Sequence, residues 1–399
     1  MRNRREFIKI AATALGGYIL IPQFLAAIPL GAKELENESE DIHEILVVIQ
    51  LSGGNDGLNS FIPYGNPLYY DIRKNLAIGK DEILKVNDMM GWHPSMYGIN
   101  EIMQQSNLSV IQNVGYPNPD RSHFRSMEIW QTASDSNEYL NSGWLGRYLD
   151  AACHKNEIIG GVNIDNIDSP ALQGNSLHSI SLQNPALFER QIKGMDLTEN
   201  QKDRNDNLAF VRKLSINAFE GSDQIKKAIE KTKNYKSDYP DHQLGKNLNW
   251  ISRMIKGGLN TKIYYTSFGG FDTHANQIGI HKNKLLQLSQ GLKAFHDDLK
   301  ASNLLSNITT LVFSEFGRRV SPNNSNGTDH GKAAPVFVMG GKNRGKILGD
   351  YPDLANLNEG DLKFKADFRS IYATILQDKF KIHPSFGGLN KFETLNIFN

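Results

Sequence analysis

Along this chain, unbroken apolar runs alternate with segments of helical period. Ile45–Leu51 ("ILVVIQL"), Leu108–Gly115, Ile158–Ile164, Thr261–Gly270, Ile308–Gly317 and Ala334–Gly341 read as strands. They are continuous rather than alternating, the pattern of strands buried on both faces. Between them, Leu285, Leu288, Leu292, Phe295 and Leu299 recur at steps of three and four, which predicts an amphipathic helix. His123–Ala133 opens another helix, and Asp367 is placed to cap a last one over Phe368–Phe380. A Lys-, Asp- and Asn-rich middle, about Leu197–Gly257, reads as a helical insertion.

Apolar strands separated by helices predict an α/β fold: a three-layer α/β/α sandwich around a mainly parallel sheet, in one domain over 45–399. Ligands of such sheets sit beyond the carboxyl ends of the strands. The residues that follow each strand are therefore informative. They are "SGGNDG" after Leu51, "YPNPDRSH" after Gly115, "FGGFDTH" from Phe268, and "SEFGRR" after Phe313. Polar and ionisable groups gather at the same end each time. Glycines beside them allow a sharp turn and close backbone approach.

Composition narrows the partners. The 399 residues are 39% hydrophobic and 22% charged, enough for a large core. A formal net charge of +1 offers no basic field for nucleic acid. The single cysteine, Cys153, excludes an intramolecular disulfide framework and a Cys-rich metal knuckle. The N-terminus is distinct. Residues 1–32 carry Arg2, Arg4 and Arg5 ahead of an apolar stretch broken by Gly16, Gly17, Pro22 and Pro29, and 33–44 form a polar linker. "NRREFIK" resembles the twin-arginine export motif. The expectation is export to the periplasm by the twin-arginine translocation machinery, with an uncleaved anchor and membrane association as the alternative.

Four short motifs carry the candidate chemistry. Asp272 and His274, two residues apart in an extended segment, point the same way, and a carboxylate plus imidazole suits zinc or another transition metal. The alternative is a loop cap beside a surface histidine. "GTDHG" presents Asp329 and His330 in a glycine-flanked loop, otherwise a plain turn. Glu315 directly follows a buried strand, where a carboxylate must be metal-bound or paired, with Arg318 or Arg319 available. Ser122 and His123 stand where a Pro-rich loop enters a helix. There a hydroxyl is either an N-cap or a nucleophile beside anion-binding N–H groups.

These stretches are more specific together. "LVVIQLSGGNDGLNSFIPYGNPLYYDIR", "HPSM", "GYPNPDRSHFRSMEIWQTA", "SGWLGRYL", "FGGFDTHANQ", "LVFSEFGRRV" and "GTDHGKAAPVFVMGG", in this order, resemble the bacterial exported family known as domain of unknown function 1501. That family is similar to the alkaline phosphatase and sulfatase superfamily. The resemblance implies an alkaline phosphatase-like sandwich and metal-dependent hydrolysis of phosphate or sulfate esters. It implies metal ligation by Asp56, Asp272, His274, Glu315 and His330. It implies Ser122 as nucleophile with His123 and Arg121 beside it, and Asn55 and Arg125 on the substrate. Phe316 stands where the superfamily has a ligating histidine, so one divalent ion, zinc first, is expected rather than two. The other reading is a non-catalytic exported binding or assembly protein with a degenerate site.

Overall fold

The computed structural model describes residues 43–153, 159–183 and 220–398. The expected leader, most of the linker and the 197–219 part of the helical middle lie outside the described residues.

Strand β1, Ile45–Ser52, is the centre of the molecule. Its side chains alternate between two cores. Ile45, Val47, Ile49 and Leu51 join one, and Leu46 and Val48 join the other. A polar residue at either set of positions faces a dry interior and must find a partner there. The run Ile45–Leu51 is therefore apolar except at Gln50, whose Oε1 accepts from Gln131 and Tyr265. Burying each such side chain contributes about 1.5–3 kcal/mol.

Three short strands, β2 (Phe61–Ile62), β3 (Leu84–Lys85) and β4 (Gly91–Trp92), form a small separate sheet. The main sheet adds β5 (Leu108–Gly115), β6 (Gly161–Ile164), β7 (Ser179–Leu182), β8 (Ile263–Gly269), β9 (Ile308–Ser314), β10 (Ala334–Gly340), β11 (Ile347–Leu348) and β12 (Ala366–Asp367). Its order is β11-β5-β10-β9-β1-β8-β6-β7, with β12 also pairing β5. All pairings are parallel except those of β10, which runs antiparallel to β5 and β9. The single, mainly parallel sheet expected from the apolar runs is present.

Helices cover both faces. One core is closed by Tyr97–Gln104, Gln243–Lys256 and the long helix Gln277–Ala301, through Ile99, Leu248, Leu288 and Phe295 among others. A helical stretch over 220–231 adds Ile225 and Ala228. The other core is closed by His123–Thr132, Trp144–Ala152 and Phe368–Thr374, where Trp144 stacks on Tyr372 at 4.1 Å. Asp367 caps the last of these by accepting from the Arg369 N–H. Among the described residues no helix is long and apolar enough to cross a membrane.

Register sets the rim. β1 pairs Ser52 with Gly269 of β8, and Leu51 with Ser314 of β9. The three carboxyl ends are therefore flush. Because β10 returns antiparallel, the connection 315–333 begins and ends at that same edge. Its strands of backbone are stitched by Arg319 N–H to Asp329 O at 2.9 Å and Gly331 N–H to Gly317 O at 2.8 Å.

Candidate metal centre

The glycines after β1 are required by what packs on them. Gly53 has φ +118°, and a Cβ there would lie 2.3 Å from the Asp272 nitrogen. Gly54 has φ +77°, and a Cβ there would lie 2.3 Å from Cε2 of Phe316. Both conformations disfavour side chains, and both approaches leave no room for one. The exposed backbone is then used. Gly53 N–H donates to Glu315 Oε1 at 2.8 Å. The carbonyls of Gly53 and Gly54 accept from Arg318, as do those of Phe271 and Thr328.

Four side chains from three separate segments meet above this floor: His123, Asp272, His274 and His330. His274 Nε2 lies 2.9 Å from His330 Nε2 and 3.0 Å from Asp272 Oδ1. His330 Nε2 lies 3.3 Å from the same oxygen, and His123 Nε2 lies 3.5 Å from Asp272 Oδ2. Ligands around one tetrahedral zinc, with bonds of ~2.0 Å, stand about 3.3 Å apart. One ligand atom each from His123, Asp272 and His330 fits within 4.8 Å of the others.

The imidazole orientations are fixed from behind. His123 Nδ1 meets Glu315 Oε1 at 2.9 Å, His274 Nδ1 meets Asp329 Oδ1 at 3.2 Å, and His330 Nδ1 meets the Arg121 carbonyl at 2.7 Å. Carboxylates and carbonyls only accept, so each neutral ring carries its proton on Nδ1 and turns a lone pair on Nε2 inward. This backing of histidine by oxygen is the usual second layer of a metal site. His123 Nε2 is buried with no hydrogen-bond partner, an orphan aimed into the cluster. A cation there would satisfy it.

Charge points the same way. Asp272, Glu315 and Asp329 bring three carboxylates to the centre; the Arg318 guanidinium reaches Asp272 Oδ1 at 2.6 Å, and Arg319 acts on Asp329. Burial pushes the Asp272 carboxyl up, but Arg318 and His330 outweigh it and hold the group below the usual range. The Glu315 hydrogen bond raises His123, against desolvation. Burial lowers His330, although the Arg121 carbonyl and Asp272 oppose it. The centre is a cup: Glu315 is fully buried at the base, while the Asp272 and His274 side chains are 47% and 44% exposed at the lip. Phe316 lies against His330 and His123, with ring centroids 4.5 and 5.0 Å away.

Not every expected residue joins. Asp56 belongs to a neighbouring buried network instead. Its two oxygens accept from Arg73 at 2.9 and 2.8 Å, and one also accepts from Gln277 Nε2. Arg73 and Gln277 had not been anticipated from the sequence, although both fall inside the recognised motifs. Asn55, expected to meet substrate, is buried and accepts from Ser60 Oγ at 3.0 Å, with His281 Nε2 at 2.9 Å. Arg125, also expected on the substrate, instead donates to the carbonyls of Asp135, Ser136 and Glu138 and stacks on Tyr139. Arg121 is partly exposed and pairs with the buried Asp361. Ser122 is exposed, at the helix N-cap position, with no capping bond from its hydroxyl.

The buried network makes a pH-dependent contribution to stability. Burial lowers His281 to about 4 and His93 to about 3. Unfolded, both titrate near 6.5. Between these values the unfolded chain binds protons that the folded one does not, so stability falls as pH falls from about 6.5 towards 4. The expected slope is about 1.4 kcal/mol per pH unit for each histidine. Urea unfolding at pH 7.5 and 5 checks this; His281→Gln should flatten the difference, and an unchanged slope in that variant counts against the assignment.

A mainly parallel α/β/α sandwich with its ionisable cluster at the carboxyl rim is the class of protein that these features define. The chain belongs to the family described as "Protein of unknown function (DUF1501)", which matches residues 43–382. No curated protein matches it in sequence. Among solved structures it is similar to the C-terminal periplasmic domain of EcEptC from Escherichia coli, in complex with Zn. That match has 12% identity and TM-score 0.37, covering 76% of this chain and 74% of that one. It is similar to the phosphonate monoester hydrolase SpPMH from Silicibacter pomeroyi at 7% identity and TM-score 0.39, covering 89% and 76%. It is similar to the PsFucS1 sulfatase from Pseudoalteromonas sp. at 10% identity and TM-score 0.38, covering 89% and 71%. Likeness at this level says nothing about the reaction.

Proposed function

We propose that this chain is an exported, metal-dependent hydrolase of phosphate or sulfate esters, built around a single divalent ion. The observation that carries the reading is the set of three imidazoles, each held at Nδ1 by an oxygen and each turning Nε2 towards Asp272. His123, Asp272, His274 and His330 would hold the ion. Glu315, Asp329 and the Arg121 carbonyl would orient the rings. Nitrogen and oxygen donors at tetrahedral spacing favour zinc. When bound, such an ion polarises an ester oxygen and stabilises the charge that develops on it.

The remaining work falls to the chain itself. Ser122 presents its hydroxyl one residue before His123, and its oxygen is the nucleophile. It would bond to phosphorus or sulfur as the bond to the ester oxygen breaks, its proton passing through solvent to the departing alkoxide. Water would then cleave the serine ester, releasing the phosphate or sulfate and restoring the hydroxyl. Arg121 stands beside it as the cation for the anionic group, held in place by Asp361. Export through the twin-arginine pathway belongs to the same reading and rests on Arg4 and Arg5. Fractionation of cells carrying Arg4→Lys with Arg5→Lys checks it, the expected result being retention in the cytoplasm.

Elemental analysis of the purified, folded protein, beside a panel of phosphate and sulfate esters, tests the proposal. About one equivalent of metal is expected, with hydrolysis of at least one ester. Ser122→Ala should keep the metal and lose the hydrolysis, since it removes only the nucleophile. A metal-free protein of full stability and no activity would favour the non-catalytic binding or assembly reading.

A further inference from the structure

Two of the imidazoles that converge on Asp272 come from loops with no covalent tie between them. His274 follows β8, and His330 lies in the excursion between β9 and β10. Their mutual spacing must be set by something else. Arg318 spans them at the main chain, donating to the Phe271 and Thr328 carbonyls. A second buried side chain reaches both loops through their threonine hydroxyls. Gln277, first residue of the long helix, is 1% exposed. Its Oε1 accepts from Thr273 Oγ1 at 3.0 Å and from Thr328 Oγ1 at 2.6 Å. Its Nε2 donates to Asp56 Oδ2, which Arg73 holds from the other side. Thr273 immediately precedes His274, and Thr328 stands two residues before His330.

The surrounding backbone follows the same seam. Thr328 N–H donates to Thr273 O at 3.1 Å, and Gln277 N–H donates to Asn326 O at 2.9 Å. Asn323 Nδ2 donates to His274 O at 2.9 Å. The amide is the one group in this seam that bonds both threonine hydroxyls and the Asp56–Arg73 pair. Its chemistry suits the place. It needs an acceptor for two hydroxyls and a donor for a carboxylate, which an amide supplies and a carboxylate does not.

We infer that Gln277 is a positioning residue of the metal centre: it brackets the His274 and His330 loops against the Asp56–Arg73 pair and so sets the distance between two ligands. The inference rests on the metal-centre reading above. It assigns Asp56 to anchoring this bracket.

The test compares wild type with Gln277→Leu, Thr328→Val and Thr273→Val. Zinc affinity is measured by chelator competition, and the visible absorption of the cobalt-substituted protein reports ligand geometry. Melting of the metal-free proteins reports fold. Loss of groups that orient metal ligands costs about 10–100-fold in affinity. Gln277→Leu is expected to weaken zinc by about that factor and to change the cobalt spectrum. Each threonine variant should show a smaller loss, and Thr328→Val added to Gln277→Leu should add almost nothing, because the contact is already gone. If Gln277→Leu fails to fold, the two threonine variants carry the test. Wild-type affinity and spectrum in Gln277→Leu, or in both threonine variants, overturn the inference while leaving the metal centre standing. A wild type that binds neither zinc nor cobalt overturns both.

Discussion

Replacing Arg73 by Met is expected to destabilise the protein by about 3–5 kcal/mol, the usual cost of stranding one member of a buried ion pair. Arg73 is 0% exposed and Asp56 1%. Their contact is bidentate, Nη1 on Oδ1 and Nη2 on Oδ2. Arg73 Nη1 also donates to Asn59 Oδ1 at 3.0 Å, and Tyr69 donates to that oxygen at 2.8 Å. Burial alone would push the Asp56 carboxyl up, yet Arg73 and the polar groups around it hold it below its ordinary value. The pair therefore adds stability above the unfolded carboxylate pKa, near 4, and loses it as pH falls through the folded value. Met keeps the aliphatic bulk and removes the charge. Asp56→Asn in the same chain should recover part of the loss, since no bare carboxylate then remains. Urea unfolding of wild type and the two variants is the measurement; a loss below about 1 kcal/mol for Arg73→Met would show that water reaches Asp56.

His330→Ala is expected to abolish the stabilisation that metal gives. A ligand present at about 100 times its dissociation constant raises stability by about 2.7 kcal/mol. Removing an Nε2 that sits 2.9 and 3.3 Å from two other ligand atoms should weaken zinc by at least about 100-fold. Melting curves with zinc and with chelator separate the effects. Wild type should melt higher with zinc, and the variant should melt alike in both. Metal-free, the variant also loses the Nδ1 bond to the Arg121 carbonyl and the packing on Phe316, so the zinc-induced shift within each protein is the quantity compared. A variant that keeps the zinc shift would place the ion elsewhere.

The sheet was legible because its central strands are buried on both faces, and apolar residues predominate there, with a few buried polar ones such as Gln50 and Thr266. Direction was not legible for β10, because an apolar run looks the same read either way and its neighbours decide. The edge strands β7, β11 and β12 were missed; they are short and half exposed, so little in them is constrained. Asp272, His274, Glu315 and His330 could be placed at one end of the sheet from sequence because each follows or neighbours the end of an apolar strand run. Asp56 satisfied the same rule and sits elsewhere. Its partner Arg73 returns from a helix 17 residues on, and nothing in the spacing announces that return. His123 was read beside Ser122 as part of the reacting pair. Its place among the ring nitrogens depends on Glu315, a contact across 192 positions.

The two rim glycines differ in what a geneticist could repair. At both positions a saturation scan should return almost nothing, whether survival or activity is selected. Gly54 is blocked chiefly by the Phe316 ring, with Arg318 Nε 3.3 Å away, so a smaller residue at Phe316 offers a second-site suppressor, with the strained backbone and the Arg318 contact left to bear. Gly53 is blocked by the main chain of Phe271 and Asp272. No side-chain change elsewhere removes a peptide group, and a lesion at that position should have no intragenic suppressor.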